Sequence, residues 1–389
     1  MTTRQSNDAS AAARPDQPAG DGGQPKDGAT PSRQYADLKA LVQGEFGAVD
    51  RLYITPHLKE AGLNPYLPLL YAPFKGEEGT GGEKDGKDGK DAKDAKYGKD
   101  MLQPLNTGEF LRPFLRRLFL RENSIWHQHW LQFSTFPTWL RTQFRLLASL
   151  LYLMAGGRIL WTVHNPRPHV NRFVGLNLFY CRLMAHLTTR FHVHNQEAVK
   201  AVDELYGYPG AKVAVLAHPH FPVRPIPKTE ARAGLRAKYG VAAEGRTVFI
   251  MFGFIASFKG IREVAALFRN VDPAKGLLII AGQPRGNEPE YALSLRTDYA
   301  FPAVALFDRM IPEEDVNLFM CGADYAVFNQ SYALNSSGMT LADDYGCHII
   351  APDLEATTIL DAKTMSKFRS QEELAELIRA CLLPITFPR

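Results

Sequence analysis

Between His218 and Lys228 the chain reads HPHFPVRPIPK, and four prolines in eleven residues forbid both a helix and a central strand there. Such a stretch is an extended spacer. On either side of it the same rhythm runs, short apolar segments alternating with longer segments of helical periodicity. Before the spacer, strands are expected at Arg51 to Pro56, within Ser124 to Phe133, at Arg158 to His164 and at Phe191 to His194. Helical patterns lie at Leu67 to Phe74, Thr138 to Ala155 and Val174 to Thr188. After it come strands Thr247 to Gly253, Leu277 to Ala281, Tyr325 to Phe328 and His348 to Ala351. They alternate with helices Ile261 to Phe268, Pro312 to Cys321, Met339 to Tyr345 and Gln371 to Leu382. Parallel neighbours need a crossover, and the intervening helices supply it, so each half should build a parallel sheet. Two α/β halves joined by a spacer place a cleft between the carboxyl ends of two sheets, where open sheets bind ligands.

The boundaries that follow are a disordered tail over 1–46, a first domain over 47–218 and a second over 219–389. The first thirty-odd residues are rich in Ala, Asp, Gly, Pro and Gln and cannot bury enough apolar surface to offset the entropy of ordering. Residues 76–100, where Lys-Asp pairs recur between Gly and Ala, read as a disordered insertion in the first domain, since the glycines work against a charged helix.

Charge narrows the function little. With 45 Lys and Arg against 41 Asp and Glu, the net charge of +4 is too small and too dispersed to mark a nucleic-acid binder. Cys181, Cys321, Cys347 and Cys381 are scattered, with no CxxC pair, which fits a reducing compartment and neither a disulfide framework nor a structural zinc. The amino-terminal stretch lacks the apolar core of a signal peptide, and no eighteen-residue apolar run is present. A cytoplasmic protein is expected. Leu111 to Arg121 and Arg141 to Tyr152 mix Arg with Leu and Phe, as interfacial helices do, so peripheral contact with the inner face of the cytoplasmic membrane is an expectation beside ordinary packing on the sheet.

Neither half carries GxGxxG after its first strand or a GxxxxGK[ST] loop, which disfavours dinucleotide oxidoreductases and P-loop NTPases. The second half offers VFIMFGFIASFKGI instead. There Gly253 lets the backbone approach a ligand and Lys259 places a cation beside a helix start, an arrangement suited to a diphosphate. The ordinary reading of such a lysine is a solvated surface residue. Asn335, Ser336, Ser337 and Gly338 precede another helix and present donors to anionic oxygens, though plain capping explains the same residues. Histidines collect at strand ends: His127 and His129, His164, His194, then His218 and His220. None has HExxH spacing, so no metal site and no cofactor are expected, and polar substrate contacts compete with structural roles.

The succession HQHWLQF, WTVHNPRPH, FHVHN, VLAHPHF, FGFIASFKGI, LLIIAGQP, MIPEEDVNLFMCGADYAVFN and NSSGMTLADDYGCHIIAPD resembles a GT-B glycosyltransferase of the family-4-like group over about residues 50 to 389. The resemblance implies an α/β protein of two Rossmann-like domains facing each other across a cleft. It implies a hexosyltransferase that moves a hexose-type sugar from a GDP- or UDP-sugar on the second domain to a saccharide or lipid-linked acceptor on the first, in polysaccharide biosynthesis. Gly253 and Lys259 match the loop that holds the donor diphosphate, and Asn335, Ser336, Ser337 and Gly338 match the segment facing the donor sugar. His164 matches the histidine beside the reacting sugar, with His129 and His220 as acceptor contacts. Two departures stand out. Ala256 replaces an Arg three residues before the Lys, and Ala333 and Leu341 replace both glutamates of the usual E-x7-E element. In a subgroup resembling bacterial exopolysaccharide transferases the corresponding segment reads Thr-Ser-Gly-Ser, here Ser336 to Met339. The competing readings are a non-catalytic sugar- or nucleotide-binding relative and a nucleotide-sugar epimerase.

Overall fold

The computed structural model describes residues 33–56, 66–74, 101–133, 135–164, 173–207, 212–286, 288–331, 336–354 and 365–383. The expected insertion, most of the expected tail and Asn335 lie outside the described residues.

In chain order the first half contains β1 (Arg33–Gln34), α1 (Leu38–Phe46), β2 (Arg51–Thr55), α2 (Tyr66–Leu70), β3 (Leu102–Pro104) and α3 (Arg112–Leu120). It continues with β4 (Ser124–Gln128), α4 (Phe136–Met154), β5 (Arg158–Thr162), α5 (Val174–Leu187), β6 (Arg190–Val193), α6 (Gln196–Tyr206) and β7 (Val213–Val215). The second half contains α7 (Lys228–Tyr239), β8 (Thr247–Phe252), α8 (Ile261–Leu267), β9 (Gly276–Ala281), α9 (Pro289–Asp298) and β10 (Val304–Phe307). It ends with α10 (Val316–Gly322), β11 (Tyr325–Val327), α11 (Ser337–Asp344), β12 (His348–Pro352), β13 (Met365–Phe368) and α12 (Gln371–Leu382).

Each half builds one sheet, and every pairing is parallel. The strand orders are β1-β7-β6-β5-β4-β2-β3 and β10-β9-β8-β11-β12-β13. Counted from β8, the second order is the doubly wound 3-2-1-4-5-6, whose direction reverses between β8 and β11. A parallel sheet is covered on both faces, which is why β9 is apolar throughout (GLLIIA) and fully buried rather than alternating. In the first half one apolar cluster joins the sheet to α4, α5 and α6, and a second joins it to α1 and α2.

The tail expected over 1–46 is too long. β1 pairs with β7, and α1 sends Leu38, Leu41, Val42 and Phe46 into the core. Asp37 caps α1 by accepting from the Ala40 amide at 2.7 Å. The polar composition of the first thirty residues obscures a short amphipathic run, LKALVQGEF, that belongs to the fold. The spacer does bridge the halves. His218 packs on Tyr66 of the first half, while His220 and the Phe221 amide bond the two carboxylate oxygens of Asp344 on α11.

Candidate functional site

In the first half, the carboxyl ends of β4, β5 and β6 bring His127, His129, His164, His192 and His194 together, all buried. They are joined through Tyr71, Thr162 and the Leu216 carbonyl into one hydrogen-bonded chain, with the Tyr66 hydroxyl on Nε2 of His194 at 3.2 Å, and its direction follows from the end that can only accept. The Leu216 carbonyl accepts Nε2–H of His192 and Nδ1–H of His194, each at 3.1 Å. His192 then takes the Thr162 hydroxyl on Nδ1 at 2.8 Å, and Thr162, having donated, accepts His127 Nε2–H at 2.7 Å. Tyr71 donates to His127 Nδ1 at 2.7 Å and accepts His129 Nε2–H at 2.9 Å. His129 Nδ1 accepts His164 Nε2–H at 3.0 Å. The last member, His164, is left with the lone pair of Nδ1, which no described residue engages.

This assignment requires neutral imidazoles, and the surroundings enforce that. Burial first, then neighbouring imidazoles, holds His127, His129, His164 and His194 well below the usual histidine range. For His192, burial lowers the value to about 4. His164 is 8% exposed and stacks face to face on Trp130, with ring centroids 4.4 Å apart and planes 10° apart. Trp130 itself sits at φ 32°, a left-handed conformation rare for a bulky residue, and buried Arg145 of α4 fixes the turn by donating to its carbonyl at 2.8 Å.

In the second half a pocket opens at the β8–β11 switch point, lined among others by Gly253, Phe254, Lys259, Phe328 and Gln330. Gly253 follows β8 at φ 96°, a conformation that favours glycine, and a Cβ on Gly282 would lie 2.0 Å from the Gly253 carbonyl oxygen, so the two turns pass each other only because residue 282 is a glycine. Lys259 Nζ donates to the Phe252 carbonyl at 3.2 Å. Enough protein surrounds the amine that desolvation pushes its pKa down to about 8. Asn329 donates to the Gly260 carbonyl at 3.1 Å and accepts from Gln371 at 2.7 Å, which ties the Lys-Gly turn to the start of α12.

The expected residues therefore divide. His164 stands at a strand end with an available lone pair, and Gly253 and Lys259 share one pocket. Ser336 caps α11, accepting from the Met339 amide at 3.3 Å, and Ser337 and Gly338 form the first turn. A Cβ on Gly338 would meet Phe328 of the pocket wall at 3.2 Å. His129, expected to touch the acceptor, is fully buried with both ring nitrogens bonded, so it holds His164 from behind. His220, expected beside it, is exposed and pairs with Asp344 at 2.6 Å on the other half. Sequence reasoning missed His192, Tyr66, Tyr71, Thr162, Trp130 and Arg145. Nothing local distinguishes a buried tyrosine that joins two histidines from any core tyrosine. Among the described residues, no three His, Cys, Asp or Glu side chains are placed to hold a metal ion.

No family model matches the chain, and no curated protein sequence matches it. Solved structures do. HepE from Anabaena, solved in complex with UDP-glucose, superposes with a TM-score of 0.60 at 14% identity over 86% of this chain and 90% of its own. A glycosyltransferase from Rickettsia africae gives 0.56 at 14% identity, covering 85% and 87% of the two chains. Sucrose-phosphate synthase from Thermosynechococcus elongatus gives 0.53 at 14% identity, covering 71% and 68%. At this identity the likeness establishes architecture: the chain has the GT-B fold, two doubly wound α/β halves joined by a spacer.

Proposed function

We propose that this protein is a glycosyltransferase that binds a nucleotide-sugar donor on its second half and transfers a hexose-type sugar to a saccharide or lipid-linked acceptor on its first, in the cytoplasm, during polysaccharide assembly. The observation that carries the reading is Lys259, a largely desolvated amine with one neutral carbonyl partner, beside a glycine turn at the switch point of a doubly wound sheet. A desolvated cation with no counter-ion among the described residues is costly, and a diphosphate supplies the missing charge. That HepE was solved with UDP-glucose favours a UDP-sugar over a GDP-sugar as the first donor to test.

In the reaction, the bond between the sugar's anomeric carbon and the phosphate oxygen breaks, and negative charge grows on the leaving diphosphate. Lys259 faces that charge from the pocket, while the amides of Lys259 and Gly260 are spent on the carbonyls of Ala256 and Ser257 and only shape the turn. The acceptor hydroxyl forms the new glycosidic bond and gives up its proton, for which His164 Nδ1 is available as acceptor. Ala256 stands where relatives of this pattern place an Arg, so Lys259 carries the cationic role at this loop by itself.

Calorimetry with UDP-glucose and with GDP-glucose tests the site. Lys259→Ala should weaken donor binding by about ten- to a hundredfold through loss of a charge-assisted contact. Gly338→Val should also weaken it, by pressing on Phe328 without removing charge. Both variants should keep their circular dichroism. Unchanged affinity in both would remove the donor site from the second half. Binding without a new glycosidic bond for any acceptor would favour the non-catalytic reading, and an isomerised free nucleotide sugar the epimerase.

A further inference from the structure

Thirteen of the nineteen large apolar side chains exposed among the described residues lie on three neighbouring helices, α3, α4 and α5. These helices cover one face of the first sheet, with α3 against α4 and α4 against α5. Phe119 is 74% exposed, Phe136 71%, Leu140 56%, Met154 76%, Phe179 58% and Leu183 41%. Scattered exposed leucines are ordinary, whereas a run of them across three adjacent helices marks a contact surface.

The charge around this surface identifies what it meets. From Asn123 to Gln196 the chain contains no Asp or Glu, although the whole chain is nearly balanced at 45 basic to 41 acidic residues. Of the arginines there, Arg141 on α4 and Arg182 on α5 join Arg112, Arg116 and Arg117 of α3, whereas Arg145, Arg158 and Arg190 are held by partners within the protein. None of α3, α4 and α5 contains a carboxylate. The acids nearest to α3 are engaged at its ends, Glu109 with Arg112 and Glu122 with Arg51 and Arg116. A second copy of the chain would set one acid-free, arginine-bearing face against another and find no complementary charge. An acidic lipid surface supplies both parts of the match, an apolar interior for Phe and Leu and anionic headgroups for Arg. Among the described residues no helix is long and apolar enough to cross a membrane, so these helices would lie on the surface.

We infer that the α3–α4–α5 face of the first half docks on anionic phospholipid. The inference is independent of sugar transfer. It also has a geometric consequence, because α4 starts a few residues after Trp130 and α5 follows the segment after His164, so the apolar face begins at the rim of the histidine site.

Flotation of the full-length protein with phosphatidylcholine vesicles, with and without phosphatidylglycerol, tests this. The protein should float with the anionic vesicles at low salt and separate from them at high salt. The variant F119E/L140E should lower the partition coefficient about tenfold or more, since two apolar anchors become like-charged with the lipid. Should that variant misfold, R112Q/R121N reads the same surface through charge alone and should lower binding to anionic vesicles severalfold. Failure to float, equal partition onto neutral vesicles, or unchanged binding in a folded F119E/L140E would each overturn the inference. So would a dimer, seen by sedimentation, that forms in place of vesicle binding and is lost in the same variant.

Discussion

Lys259 links charge to pH in a way that separates a diphosphate site from a fortuitous lysine. Desolvation lowers its amine to about 8, so in the free protein the charge is present below that pH and lost as pH rises through it. A bound diphosphate would hold the proton. UDP-glucose affinity should then be level below about pH 8 and fall by up to about tenfold per pH unit above it. Calorimetry in two buffers of different ionisation enthalpy should show proton uptake on binding above pH 8. Lys259→Ala should abolish both effects, and a level affinity from pH 7 to 10 would count against the contact. The Lys-Gly pair was legible in sequence because a glycine before a helix is a local signal. Its desolvation was not, because that depends on how β8 and β11 flank it.

At the scale of elements, the histidine chain is a property of three adjacent parallel strands. In-register pairing sets His127 beside Leu160 and Thr162 beside His192, which brings groups about thirty residues apart within bonding distance. His164→Ala should lower kcat about 10²-fold with donor affinity retained. Tyr71→Phe should lower kcat by less, because it strands Nδ1 of His127 and Nε2–H of His129 without removing the terminal base. If Tyr71 acts through His164, the double variant should be no slower than His164→Ala alone; additive losses would make Tyr71 merely structural. Thus four of the five histidines were visible at strand ends, while His192 and the tyrosine and threonine that order them were not. His129 and His220 show the same limit, since one is turned inward and the other is claimed by Asp344 across the spacer.

For the molecule as a whole, five buried neutral histidines make folding sensitive to mild acid. Their folded pKa values lie below the unfolded value near 6.5, so the unfolded chain binds more protons as pH falls. The stability that neutrality contributes is whole above pH 6.5 and is lost progressively as pH falls toward about 4, the value for His192. Between pH 6.5 and 5 ordinary carboxylates stay mostly ionised in both states, so the slope there belongs to the histidines. Urea unfolding should lose up to about 1.4 kcal/mol per pH unit for each histidine that titrates. A urea midpoint unchanged between pH 7 and 5 would mean the cluster is hydrated or charged in solution.

The sequence by itself determined the two-half α/β layout, the spacer and most of the strands, because strand and helix periodicities and proline are local physics. It also carried the glycine-lysine turn after β8 and the acid-free, apolar segments. Only the tertiary structure decided that α1 belongs to the first core, which way each histidine faces and which nitrogen is left over. It also decided that the exposed Phe and Leu of three helices form one surface. Hydrogen-bond direction and burial are set by neighbours distant in the chain, and a linear reading contains those neighbours without their distances.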